Sequence, residues 1–191
     1  MRVLYICYDG ILDNLGQTQI LPYIYGLNEK NYKFIILSFE RHNRKEEEFI
    51  DQKKILNKKN IIWYHLPFYP GRHHRLLRFI FGPIKINLIF KKHKIGLIHL
   101  RAVNAGALFL FSRIKCPYIF DIRAFAGQLV DYGLLKNSWI SKFFIYLEKI
   151  LINNSRGIVV LDKSGFNYLK SNFKLNSPIE IIPTATNIKK F

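Results

Sequence analysis

Acidic residues are scarce in this chain. Thirteen Asp and Glu stand against 30 Lys and Arg over 191 residues, a formal charge of +17. A field of that sign attracts polyanions: nucleic acid, anionic lipid headgroups or phosphorylated small molecules. Lys, Ile and Asn are all abundant, so compositional bias is an alternative source of surface lysines. Cysteine is also rare, with only Cys7 and Cys116, each in or beside an apolar run. Two such thiols exclude a disulfide framework and read as reduced and buried, as in a cytosolic protein. Neither Cys-x-x-Cys nor His-x-x-x-His occurs, so no metal spacing is present. No uncharged apolar run reaches the ~18 residues of a membrane-crossing helix. Asp9 precedes any long apolar segment, so no signal peptide is expected. Glycines fit neither Gly-x-Gly-x-x-Gly nor a P-loop.

What is there is a large apolar fraction, including 16 Phe and 11 Tyr, enough for one substantial core. Near-continuous apolar runs recur at 3–8, 34–37, 61–64, 96–100, 117–120, 157–161 and 179–182. Strands buried on both faces require such runs. Between them lie segments with helical spacing, among them 17–30, 102–113, 138–153 (with Ser138 as cap) and 163–172. A charged helix is expected from a cap at Asn43 to about Leu56. Residues 72–94 read as mainly helical, interrupted at Gly82-Pro83. Strict alternation predicts an α/β fold: a Rossmann-like, doubly wound parallel sheet of about seven strands with helices on both faces. Ligands in that architecture sit beyond the carboxyl ends of the strands.

Residues after those strand ends are therefore the candidates. The first loop holds Asp9 and Leu15-Gly16-Gln17-Thr18-Gln19. It is either a close-approach anion site at a helix start or a glycine-assisted turn. The fourth run ends His99-Leu100-Arg101, followed by Asn104; His99 is a ligand contact or a satisfied core residue. The fifth ends Asp121-Ile122-Arg123, where the two side chains share a strand face and pair. That pair either presents a guanidinium to a ligand or braces the loop that carries Gln128 and Asp131.

The segment 71–94 carries seven cations and no acid: Arg72, Arg75, Arg78, Lys85, Lys91, Lys92 and Lys94. Interleaved apolar residues make it a candidate for contact with anionic lipid. A sheet-covering helix with a solvated basic face is the plain alternative. Nucleic acid is a weaker third, since no recognised binding module appears. No nucleophile–base set or carboxylate pair suggests hydrolysis.

Taken in order, Arg2–Gly10, Gly16–Tyr23, Leu37–Glu40, Ile98–Arg101, Phe120–Arg123, Gly157–Ser164 and Ile181–Asn187 resemble the N-terminal, acceptor-binding domain of a family-4 retaining glycosyltransferase with the two-domain GT-B fold. The resemblance covers nearly the whole chain and rests on order and spacing. Thr184-Ala185-Thr186-Asn187 departs from the usual Asn-Gly-x-Asp linker. Arg123 stands where many relatives have His, and the loop after it lacks the usual Trp and acids.

The resemblance implies an N-terminal domain over 1–182 and a linker from 183 to 191. The donor-binding domain, with its Glu-x7-Glu motif, would lie outside this chain. It implies Asp121 and Arg123 at the catalytic centre, and Asp9, Gly16, Gln17, His99, Arg101, Asn104 and Asp131 at substrate. A hexose would pass from a nucleotide-sugar to a saccharide or lipid-linked acceptor, with no cofactor and no metal. Catalysis would be stabilisation of the leaving diphosphate and positioning of the acceptor hydroxyl. The expected setting is bacterial surface polysaccharide or glycolipid synthesis on the inner face of the cell membrane, with the chain alone inactive. A non-catalytic membrane-binding module or truncated pseudo-enzyme is the alternative.

Overall fold

The computed structural model describes residues 1–134 and 136–184, without the side chains of Arg72 and Arg75. Seven parallel strands form one sheet: β1 (Arg2–Cys7), β2 (Lys33–Arg41), β3 (Ile62–Phe68), β4 (Leu97–Arg101), β5 (Tyr118–Asp121), β6 (Gly157–Val160) and β7 (Ile179–Ile181). Their spatial order is β3-β2-β1-β4-β5-β6-β7. The chain builds outward from β1 in one direction, then returns to start again at β4. The order of strand addition therefore reverses between β1 and β4, which opens a crevice at their carboxyl ends.

Helices α1 (Leu21–Glu29) and α2 (Glu46–Lys58) cover one face of the sheet. Their Leu21, Ile24 and Leu56 pack on Tyr5, Cys7, Ile36 and Trp63. Helices α3 (Arg72–Lys92), α4 (Ala102–Ser112), α6 (Trp139–Asn154) and α7 (Lys163–Asn172) bury their apolar stripes on the other face, against Leu4, Ile6, Leu37, Leu100, Phe120 and Ile158. Helix α6 begins at the expected cap, Ser138, whose Oγ accepts from Ser141 N–H at 3.3 Å.

Three local expectations need correction. Helix α3 runs unbroken through Pro83. Gly82 lets it approach closely, since a Cβ there would lie 2.8 Å from Leu108 Cδ2, and Asn87 Nδ2 donates to the carbonyls of Pro83 and Ser112. These contacts to α4 offset the backbone bond lost to proline. The cap of α2 is Lys45, whose N–H is held by Glu48 Oε1 at 3.1 Å, and not Asn43. The loop after Asp121 contains a short helix, α5 (Ala126–Asp131). The expected linker lies, beyond Thr184, outside the described residues.

Candidate active site

Strand register assembles the centre of the site. Cys7, Arg101 and Asp121 lie side by side at the ends of β1, β4 and β5, one row above Tyr5 and His99. Asp121 is the hub. Its Oδ2 accepts from Arg123 Nη2 at 2.7 Å, lies 3.3 Å from His99 Nε2, and has Arg101 Nη1 at 3.7 Å. The His99 ring stacks on Tyr5 with centroids 4.5 Å apart. Arg101 Nη2 also donates to Gln19 Oε1 at 3.0 Å, and its Nε faces Asp9 Oδ2 at 3.8 Å. Asp121, His99 and Arg101 are almost wholly buried, whereas Arg123 and Asp9 are partly open.

Charge is balanced unevenly in this cluster. Burial acts to raise the Asp121 carboxyl, but the His99 hydrogen bond and the charges of His99 and Arg123 outweigh it and hold it below its ordinary range. Asp9 sits at the lip with its carboxyl pushed up by desolvation against the pull of Arg101. Asp121 Oδ1, Arg101 Nε and Nη1, and Arg123 Nε are buried without hydrogen-bond partners. Buried polar atoms ordinarily find partners, so the hydrogen bonding of this cluster is incomplete. Ala102, directly after Arg101, has φ +64°, a left-handed conformation rarely held by a residue with a Cβ. That bend turns the chain from β4 into α4 at the mouth of the crevice.

The first loop plays a supporting part. Gly16 starts a π-helical turn (Gly16–Ile20) packed so tightly that a Cβ would lie 2.4 Å from the Gly10 carbonyl. Gln17 Nε2 donates to Ile11 O and to Gln52 Oε1, and its N–H bonds Asp13 O. Both residues are thus engaged within the loop and its neighbour α2. Gln19, two residues on, reaches Arg101 instead. The loop is clamped from β2 by buried Glu40, which accepts from Ile11 N–H at 2.7 Å and Leu12 N–H at 3.2 Å.

A cavity of about 630 Å³ opens at the same end of the sheet, with Tyr8 and Ala124, the chain neighbours of Asp9 and Arg123, in its wall. Tyr8, Arg78, Phe79, Asn104, Leu129, Lys136 and Phe144 are among its walls. The volume suits a small organic ligand, and the lining is mainly apolar with a few polar groups. Asn104, a sequence candidate, lines this cavity. Asp131 is exposed at the end of α5 and lies neither in the cluster nor on this cavity. Under α5, buried Glu148 accepts Ala126 N–H on both oxygens at 3.1 Å, and burial raises its carboxyl to about 7.

The basic helix divides unexpectedly. Arg78 is only 7% exposed, so it is a cavity wall and not a surface contact. The reason is orientation: its guanidinium lies 4.0 Å from the Phe68 ring centroid and 5.2 Å from that of Tyr8. Lys85 is half-buried over Tyr64, while Lys91 and Lys92 are exposed. The side chains of Arg72 and Arg75 lie outside the described residues. Leu76, Ile80, Phe81, Ile84 and Leu88 of α3 are all at least half exposed, as are Trp139 and Tyr146 of α6.

Sequence reasoning named Gln19, Tyr5 and Glu40 only within longer runs, with no part in the site, and passed over Glu148 and the α6 face. Among the described residues no cluster of His, Cys, Asp or Glu is arranged to hold a metal, and no helix is long and apolar enough to cross a membrane.

This architecture is that of one half of a GT-B glycosyltransferase. Sucrose-phosphate synthase from Thermosynechococcus elongatus superposes with a TM-score of 0.67 at 13% identity, covering 100% of this chain and 50% of that one. UGT71G1 of Medicago truncatula, complexed with UDP-glucose, gives 0.62 at 14% identity over 98% of this chain and 52% of that one. UGT2 of Phytolacca americana, complexed with UDP-2-fluoro-glucose and pterostilbene, gives 0.63 at 9% over 99% and 55%. The chain thus spans about half the length of these structures. No protein with a curated description matches it. The model of Glycosyltransferase Family 4 matches residues 18–190, and the chain belongs to that family.

Proposed function

We propose that this chain is the acceptor-binding half of a retaining hexosyltransferase that takes its sugar from a nucleotide-sugar. The observation that carries the reading is the buried Asp121 cluster at the carboxyl ends of β4 and β5, next to the reversal between β1 and β4, with a mainly apolar cavity at the same end of the sheet. A second domain would hold the donor and close over the crevice. The acceptor would enter the cavity, with its hydroxyl near the unpartnered atoms of Asp121, Arg101 and Arg123. Asp9 at the lip would accept a further hydroxyl. The two guanidiniums would then face charge developing on the leaving diphosphate as the sugar transfers.

The setting we propose is surface polysaccharide or glycolipid synthesis at the inner face of a bacterial membrane. Helices α3 and α6 support it, since they expose large apolar side chains, and the only acid on either, Glu148, is buried. An apolar face bordered by cations suits an anionic bilayer. The test is donor-dependent transfer by the full-length gene product, across a panel of nucleotide-sugars with lipid-linked and free saccharide acceptors. Product that depends on one donor supports the reading. Failure with every donor, or robust turnover by residues 1–191 alone, overturns it.

A further inference from the structure

Arg78 stands apart from the other arginines that are buried or half-buried. Arg44 has Asp13 and Glu48 at 2.7 and 2.8 Å, Arg101 has Asp9 and Asp121 within 3.8 Å, and Arg123 has Asp121 at 2.7 Å. Among the described residues no carboxylate pairs with Arg78. Its Nη1 donates to the Tyr69 carbonyl at 2.9 Å, and its Nε is buried without a partner. The aromatic faces of Phe68 and Tyr8 offset part of its lost hydration. A buried charge with so little compensation is costly unless something of opposite sign joins it.

The cavity is where that something would sit. Arg78 lines it, Lys136 adds a second cation, and Phe79, Leu129 and Phe144 supply apolar wall. A phosphate would meet Arg78 and Lys136, and an attached apolar group would lie along that wall.

We infer that Arg78 is the anion anchor of the acceptor cavity, and that the acceptor carries a phosphate ester next to an apolar group. The inference rests on the acceptor-site reading above but needs neither donor nor sugar transfer to be tested. The 191-residue protein is titrated calorimetrically with monodecyl phosphate below its micellar concentration, with decanol and with inorganic phosphate. Decyl phosphate is expected to bind at least roughly tenfold more tightly than either other probe, the scale of one charge-assisted hydrogen bond. Arg78→Met should lose that margin while decanol binding stays unchanged, and Lys149→Ser on the surface should alter nothing.

Should Arg78→Met fail to fold by circular dichroism, Lys136→Ser serves instead, with a several-fold loss expected for decyl phosphate alone. Equal affinity for decyl phosphate and decanol overturns the anion anchor. Equal affinity for inorganic and decyl phosphate overturns the apolar half. Wild-type affinity in the folded Arg78→Met protein, or in Lys136→Ser where that variant serves, overturns the assignment to this cavity. Failed sugar transfer by the full-length gene product would leave this binding result standing, and loss of binding would leave the transferase reading standing.

Discussion

His99 Nε2 lies 3.3 Å from Asp121 Oδ2, and both side chains are nearly sealed from water. The pair ties β4 to β5 at the row where Arg101 and Arg123 converge on the same carboxylate oxygen. Removing that carboxylate leaves Arg123 without its counter-charge and Arg101 with only Asp9, 3.8 Å away at the lip. Asp121→Asn is therefore expected to cost about 3 kcal/mol of stability, the scale of breaking a buried ion pair from one side. Urea unfolding measures it, and a loss under ~1 kcal/mol would show that Asp121 is not the hub.

The pH dependence of this pair has a definite sign. Its folded carboxyl titrates below the ordinary 3.8. The stabilisation is complete above that value and is lost as pH falls through the lower folded one. Wild-type protein should thus lose stability on acidification below about pH 4 more steeply than Asp121→Asn.

Glu148 works in the opposite direction. Its carboxyl rises from 4.5 to about 7 because burial disfavours the charged form more than the Ala126 N–H favours it. Protonated Glu148 is the stable partner of α5. Its contribution is complete below pH 4.5 and lost as pH rises through about 7. The shift corresponds to about 3 kcal/mol. Melting temperature should fall between pH 5 and 8 in the wild type and much less in Glu148→Gln, which keeps one acceptor for Ala126 without a charge. Parallel pH profiles would remove Glu148 from this role.

The fold was legible because its signal is local. A strand buried on both faces must be apolar throughout, and Val3–Cys7 or Gly157–Val160 announces itself within a few residues. The strand-end candidates followed from the same periodicity, so Arg101, Asp121 and Arg123 emerged together. What stayed hidden depends on distant partners. Gln19 meets Arg101 across 82 residues, and Glu40 meets Ile11 across 29. Arg78 was grouped with surface cations because its helix is basic throughout. Only the rotation of α3 over Phe68 and Tyr8 turns that residue inward. Pro83 misled for a related reason, since its helix is held by packing on α4 and not by its own backbone bonds alone.

Two glycines that look alike in sequence should respond oppositely to alanine. A Cβ on Gly16 would lie 2.4 Å from the Gly10 carbonyl and the Ile11 Cα, both backbone atoms with little room to shift. Gly16→Ala is expected to destabilise by about 2 kcal/mol or more, in the range of overpacked cores. Gly26 lies inside α1 with nothing within 4 Å of the added atom. Gly26→Ala should stabilise by about 0.5–1 kcal/mol through helix propensity. Chemical unfolding of both variants checks the pair.

The exposed face of α3, α4 and α6 makes the last prediction. Phe111 of α4 stacks on Phe143 of α6 at 6.4 Å, and Phe79 of α3 meets Phe111 and Phe144 at 6.0 Å. The three helices therefore present one continuous apolar surface, and none of them carries an exposed acid. Burial of such side chains in a lipid interface yields about 1.5–3 kcal/mol each at most, and nearby cations add about 1 kcal/mol each on anionic lipid. The protein should float with vesicles containing phosphatidylglycerol and much less with neutral phosphatidylcholine. Trp139→Glu combined with Ile80→Glu should abolish flotation without lowering the melting temperature, because both side chains are already more than half exposed. Equal flotation with neutral and anionic vesicles would remove electrostatics from the docking. Unchanged flotation of the double variant would move the contact to another face.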